Sequence, residues 1–147
     1  MLDRSYVGHS FPSHSVPVEA GQLRFFAQAV GEDNPVYHDR EAARAAGYRD
    51  LPAPPTFVFS LGLVGTDLAE KYLPMGVDLA RLLHGEQQFE YFAPICAGDV
   101  ITLESKITDI YDKKGGALEF AVEETTATNQ DGELVARAVQ TLVMRNG

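Results

Sequence analysis

Apolar residues change their spacing along this chain, and the changes divide it into helices first and strands afterwards. From 19 to 30 the positions Ala20, Leu23, Phe26, Ala27 and Val30 recur at three- and four-residue steps, which predicts an amphipathic helix. Gly31 follows as its stop. Asp39 is placed to cap a short helix over 40–46, with Glu41 in the first turn, where a carboxylate complements the helix dipole. The third residue after the cap is Ala42, so a full capping box is absent, and Gly47 ends the helix. Residues 48–53 form a loop into the next segment. Between 57 and 68, Phe57, Val58, Phe59, Leu61, Leu63, Val64 and Leu68 cover all sides of a helix instead of one stripe. Such a helix must be surrounded, and about a dozen residues are too few to span a bilayer, so its surroundings are protein. Pro54-Pro55 marks its start, because a first helical turn leaves N–H groups unpaired in any case. Asp67, Glu70 and Lys71 mark its expected return to solvent.

Ahead of these helices, residues 5–17 read as an extended opening segment with room for a short strand. Beyond them the period shortens to two. A strand over 83–92 carries Phe89, Tyr91 and Phe92 and is closed by Ala93-Pro94. Residues 100–111 form a long strand rich in β-branched side chains, 112–116 a hairpin turn, 118–126 a second alternating strand, and 134–144 a last one after the Asn129–Gly132 turn. Three long strands joined by tight turns make an antiparallel meander with one buried and one wet face. The order predicts an α+β fold: one domain over 1–147, with an antiparallel sheet wrapped around a central buried helix. Helices packed on one face of a flat sheet are the other arrangement this order allows. A rolled sheet keeps open edges and leaves part of its helix bare, and dimerisation would close both.

Composition narrows the partners. The 147 residues are enough for a sizeable core. Asp and Glu number 21 against 12 Lys and Arg, which argues against nucleic acid, since no basic stripe exists to neutralise phosphates. The lone cysteine, Cys96, has no internal disulfide partner, so a reducing, cytoplasmic setting is expected. No signal-like apolar stretch or membrane span is present in the sequence. His9 and His14 lack metal-ligand spacing, Gly115-Gly116 reads as a turn and not a phosphate loop, and neither a metal nor a cofactor is expected.

Four stretches resemble the MaoC-like dehydratases, which include (R)-specific enoyl-CoA hydratases: 31–39 (GEDNPVYHD), 43–48 (ARAAGY), 53–57 (APPTF) and 89–99 (FEYFAPICAGD). They come nearest to the branch holding fatty-acid-synthase-like N-terminal dehydratase domains and the partner subunits of two-chain hydroxyacyl dehydratases. The resemblance covers nearly the whole chain. It implies a hot-dog fold and the addition of water to a 2-enoyl thioester, or its removal from a 3-hydroxyacyl thioester, of CoA or acyl carrier protein. It also implies a homodimer, or a heterodimer with a related hot-dog chain. The family's catalytic pair is an Asp and a His five residues apart in Gly-Asp-x-Asn-Pro-x-His, and a backbone N–H at the start of the central helix polarises the thioester carbonyl.

This chain departs from that motif. Aligned on Asn34-Pro35, the family Asp falls on Glu32 and the family His on Tyr37. Asp33 and His38 keep the five-residue spacing one position later, and they are the candidate base and acid. The alternative makes Asp33 the closing residue of the Asn-Pro turn and His38 an exposed neighbour of Asp39. The family His-Gly at the helix start falls on Pro54-Pro55, and proline has no N–H to give; the Thr56 N–H is the nearest replacement. Asn34, Tyr37, Thr56 and His84 are the candidate substrate-binding residues. Tyr37 fits packing with a bonded hydroxyl better than proton donation, and Asp67 reads as an exposed carboxylate near a helix end. Three functions stand side by side: an active hydratase or dehydratase, a non-catalytic subunit shaping the acyl pocket of an active partner, and an acyl-CoA thioesterase.

Overall fold

In a computed structural model, which describes residues 1–146, the chain runs through four α-helices and five strands. They are β1 (His14–Pro17), α1 (Ala20–Ala29), α2 (Arg40–Ala45), α3 (Phe57–Leu63), α4 (Leu68–Tyr72), β2 (Leu82–Tyr91), β3 (Val100–Lys113), β4 (Leu118–Thr128) and β5 (Leu134–Arg145). All neighbours in the sheet are antiparallel, in the order β1-β3-β4-β5-β2. The β3-β4-β5 meander is the one expected from the alternating stretches, and the sheet packs against α3 as in the hot-dog fold.

The local signals act where the sequence places them. Asp39 Oδ1 accepts the Glu41 N–H at 2.8 Å and caps α2. Glu19 precedes α1, which buries Leu23 and Ala27 on one stripe. The central helix departs from expectation. It spans seven residues, not the run 57–68. Gly65 takes a positive φ of 69°, a backbone state open to glycine, and Thr66 Oγ1 donates to the Gly62 carbonyl at 3.0 Å, satisfying one of the helix's last carbonyls. Asp67 then opens a new helix: its Oδ1 accepts the N–H groups of Ala69 and Glu70. Asp67 is therefore a cap, and Lys71 turns inward instead of marking a return to solvent. Phe57, Val58 and Leu61 are buried, whereas Leu63, Val64 and Leu68 are exposed. The sheet covers α3 on one side only.

One carboxylate fixes the start of α3. Asp99 is buried at 1% exposure, and its two oxygens accept both guanidinium N–H groups of Arg49 at 2.8 and 2.9 Å, the Cys96 N–H at 2.8 Å and the Gln130 amide at 3.2 Å. The turn it holds then pins the preceding loop: Ala53 N–H donates to the Ile95 carbonyl and Ala97 N–H to the Leu51 carbonyl. Burial pushes the Asp99 carboxyl up, and the Arg49, Cys96 and Gln130 donors outweigh it, leaving the group below its ordinary range.

The two sheet edges differ. β1 has four residues and ends in Pro17, a poor template for further pairing. β2 has ten, its outer edge is unpaired among the described residues, and Leu83, Tyr91 and Phe92 near it are exposed together with Leu63, Val64 and Leu68. No helix among the described residues is long and apolar enough to cross a membrane.

The chain is expected to sediment as a dimer at micromolar concentration, and Leu83→Asp to shift it toward monomer; a stable wild-type monomer would contradict the covered-edge reasoning. Asp99→Asn is expected to cost on the order of 2–3 kcal/mol near pH 7, most of it from the buried donors, because Arg49 is largely exposed. The folded carboxyl lies below its unfolded value of about 3.9, so its contribution is complete above that pH and fades as pH falls through the folded value. Urea denaturation of both proteins should therefore show a gap that narrows below about pH 4; a gap unchanged to the acid limit would refute the assignment.

Candidate functional site

The start of α3 opens into a cavity of about 350 Å³, walled by Tyr37, Tyr48, Pro54, Pro55, Tyr91 and Phe92 among others. Pro54 is buried and Pro55 exposed, and the first helical N–H, that of Phe57, donates back to the Pro54 carbonyl at 2.9 Å. The Tyr91 hydroxyl donates to the Pro55 carbonyl at 2.6 Å. Residue 55 therefore presents no N–H to the cavity, and its carbonyl is already taken. Burial raises the Tyr37 hydroxyl above its ordinary range, with Tyr48 and Glu32 adding to the shift, so it stays protonated and neutral. The Tyr91 hydroxyl is raised by burial in the same way. The chamber is thus lined by neutral phenols and prolines. It can enclose an apolar or weakly polar group, and it offers no base.

The candidate residues are distributed differently from the expected pair. The loop 32–38 is closed by its own groups. Asn34 Oδ1 accepts the Val36 N–H at 3.2 Å, capping a single 3-10 turn over Pro35–Tyr37, and the Asn34 N–H donates to Glu32 Oε1 at 3.0 Å. His38 Nε2 donates to the Glu32 backbone carbonyl at 2.6 Å, so the imidazole fastens the loop. Asp33 is exposed, and among the described residues no hydrogen bond or ion pair joins it to His38. Neither residue lines the cavity; Tyr37 does. Thr56 is exposed and lines neither this cavity nor the groove described next.

His84 lies elsewhere. It sits beside a bulge in the β2–β5 pairing, where Gly85 is required because a Cβ there would come within 2.5 Å of Val143 Cγ2. Its ring meets Phe59 edge-on at 5.2 Å and lines a groove of about 200 Å³ between α3 and the sheet. Val58 separates the groove from the cavity at the helix start and borders both.

The groove carries a group that the sequence reading missed. Glu123 is 1% exposed and accepts the Lys71 ammonium at 2.5 Å and the Tyr72 hydroxyl at 2.7 Å, and the Gln140 amide donates to the same hydroxyl at 3.1 Å. Burial, followed by the Glu123 charge, raises the Tyr72 hydroxyl far above its ordinary range. Gln87 Oε1, also on the groove, is buried and has no hydrogen-bond partner among the described residues. In β4 Glu119, Ala121, Glu123 and Ala127 all face inward, and no signal in the sequence marked that face as the buried one. Among the described residues no group of three or more His, Cys, Asp or Glu side chains is placed to hold a metal ion.

Comparison with known proteins agrees with this fold. The family model described as "FAS1-like, dehydratase domain region" matches residues 5–138. A "UPF0336 protein" of Streptomyces avermitilis is 41% identical over 146 residues, 98% of this chain and 95% of the relative. Among solved structures, a chain of the HadBC (3R-hydroxyacyl-ACP dehydratase) complex of Mycobacterium tuberculosis is 32% identical. It superposes with a TM-score of 0.78 over 94% of this chain and 96% of that one. A "MaoC-like dehydratase" reaches a TM-score of 0.85 at 27% identity, with 97% of this chain matching 43% of that longer one. The chain belongs to the FAS1-like dehydratase domain region family, with the hot-dog fold of the MaoC-like dehydratases and hydratases.

Proposed function

We propose that this chain is the non-catalytic member of a two-chain (R)-specific 2-enoyl thioester hydratase or 3-hydroxyacyl thioester dehydratase, encloses part of the acyl chain, and leaves the proton transfers to a related hot-dog partner. Hydration needs a base to take a proton from water as its oxygen bonds C3, an acid to deliver a proton to C2, and a donor for the charge developing on the thioester oxygen. The observation that carries the reading is Pro55. It stands where the family has its oxyanion donor, it has no N–H, and its carbonyl is bonded to Tyr91. Losing such a donor costs on the order of a hundredfold or more in rate. Tyr37 at the family His position, neutral and raised, supports the same conclusion. The alternative base and acid, Asp33 and His38, lie outside the cavity, with the imidazole bonded to a loop carbonyl. A related partner chain fits both the bare β2 edge and the HadBC complex to which the chain is similar. The thioester substrate, CoA- or carrier-protein-linked, follows from the same kinship, and a thioesterase gives the 32–38 loop no role.

Crotonyl-CoA hydration tests this. The purified chain is expected to stay near the uncatalysed rate, and co-purification with a related hot-dog chain encoded beside it to produce ordinary turnover. In that complex, Asp33→Asn and His38→Gln should each leave kcat within about threefold, since a difference smaller than ~1 kcal/mol would not mark a lost catalytic group. Glu32→Asp, Tyr37→His and Pro55→Gly together should give the isolated chain a small but measurable rate, limited because the surroundings were not built for that motif. Ordinary turnover by the unmodified isolated chain would refute the proposal.

A further inference from the structure

Two hollows share a wall. The groove beside α3 and a second cleft of about 420 Å³, under the N-terminal segment, are both bordered by Thr66, Lys71 and Ser105. Thr66 and Ser105 carry small side chains, so Lys71 is the only large group of the three. Its ammonium is held from both sides. Glu123, on the groove, accepts it at 2.5 Å, and the Phe11 ring, on the cleft, lies 4.6 Å from it. The wall is therefore a plug made of one side chain, fixed by one buried ion pair and one aromatic face.

The groove changes character as it approaches this plug. Val58, Phe59, Leu63, Leu68 and Leu142 give it apolar walls, while Glu123, Lys71, Tyr72 and Gln140 close it. A hydrocarbon chain lying along such walls gains about fourfold in affinity for each methylene taken out of water. The gain stops at the pair, because a methylene that displaced Lys71 would leave Glu123 buried and uncompensated. A buried pair of this kind typically adds little net stability over well-packed apolar residues of the same volume. Beyond the plug the cleft continues the path past the Tyr6, His9 and Phe11 rings, whose centroids stand 4.9 and 5.1 Å apart in sequence.

We infer that the Lys71–Glu123 pair sets the length of the acyl chain this subunit accepts, acting as a stop between the groove and the cleft behind it. The inference rests on the proposed function in one respect, that the groove's occupant is an acyl chain. The residues concerned lie apart from the Tyr37–Pro55 cavity.

Calorimetric titration of the full chain, and of its complex with the partner, with saturated acyl-CoAs from butanoyl to hexadecanoyl tests it. In the wild type, affinity is expected to climb about fourfold per methylene and then level off at a definite length. Lys71→Ala with Glu123→Gln joins the two hollows, and should move the plateau at least two methylenes longer, with binding of the longer chains tightened about tenfold or more. Glu123→Gln alone keeps an acceptor for the Tyr72 hydroxyl and releases the lysine; it should shift the plateau in the same direction if the double variant does not fold. Gly62→Leu projects into the groove from α3, where an added Cβ meets nothing within 4 Å, and should shorten the plateau without touching the pair. If Gly62→Leu shortens the plateau and the folded pair variants leave it unchanged, the stop is disproved while the acyl groove stands. A wild-type affinity that keeps climbing to hexadecanoyl also disproves the stop. If neither the chain nor the complex binds any acyl-CoA, the proposed function fails and this inference fails with it.

Discussion

Asp99 accepts four hydrogen bonds at a point where three separate stretches of chain meet: the Arg49 loop, the turn after Cys96 and the Gln130 turn. A buried carboxylate left unpaired would be strongly unfavourable, so these donors have to converge on it, and the convergence fixes the backbone around them. The loop 51–53 is then bonded to 95–97, and α3 can start in only one place. The helix start, the phenol-lined cavity above it and the direction in which α3 enters the sheet all follow from this one buried charge.

From that start, the chemistry of the cavity is decided by what proline lacks. A proline at residue 55 suits a first helical turn, and it has no N–H to present to the cavity. Tyr91 takes up the remaining carbonyl. The same residue that suits the helix start leaves the cavity without a backbone donor at that point, which is the basis for proposing that the chain keeps the family's fold and leaves the chemistry to a partner. The exposed stripe of Leu63, Val64 and Leu68 lies on the side of α3 that the sheet leaves uncovered, and β2 is the last strand of the sheet on its side.

The second buried charge, Glu123, has a different standing. It ties α4 to the sheet through Lys71 and Tyr72, and it separates two clusters of buried apolar residues. One cluster packs α1, α2 and α3 against one end of the sheet, and the other packs α4 and Leu2 against the far end. The groove lies between them, so its floor is polar where a continuous core would have been dry.

Much of this was written in the sequence. Period-two alternation located β3, β4 and β5, the Asp39 and Gly47 signals bounded α2, and the Asn34-Pro35 and Pro54-Pro55 stretches marked the loop and helix start that shape the cavity. These are local properties, set by backbone sterics and by hydrogen bonds over a few residues. The break of the central helix at Gly65 was less legible, because an apolar run reads as one helix until the left-handed glycine and the Asp67 cap are seen to divide it. Which residues the loop 32–38 presents to the cavity was legible only in part: Tyr37 was a candidate for binding and lines the cavity, whereas Asp33 and His38 have the right spacing and only the folded loop leaves them outside it and bonds the imidazole to Glu32. The inward face of β4 shows the limit most plainly. Alternation fits either face, and the apolar set Leu118, Phe120 and Val122 would be the natural choice for the core. The register with β3 and β5 instead turns Glu119 and Glu123 inward, where the Leu2 N–H and Asn146 amide satisfy the first, and Lys71 and Tyr72 the second. Those partners are separated from β4 by tens of residues along the chain, so only the tertiary structure could show that a charged face had become the inside.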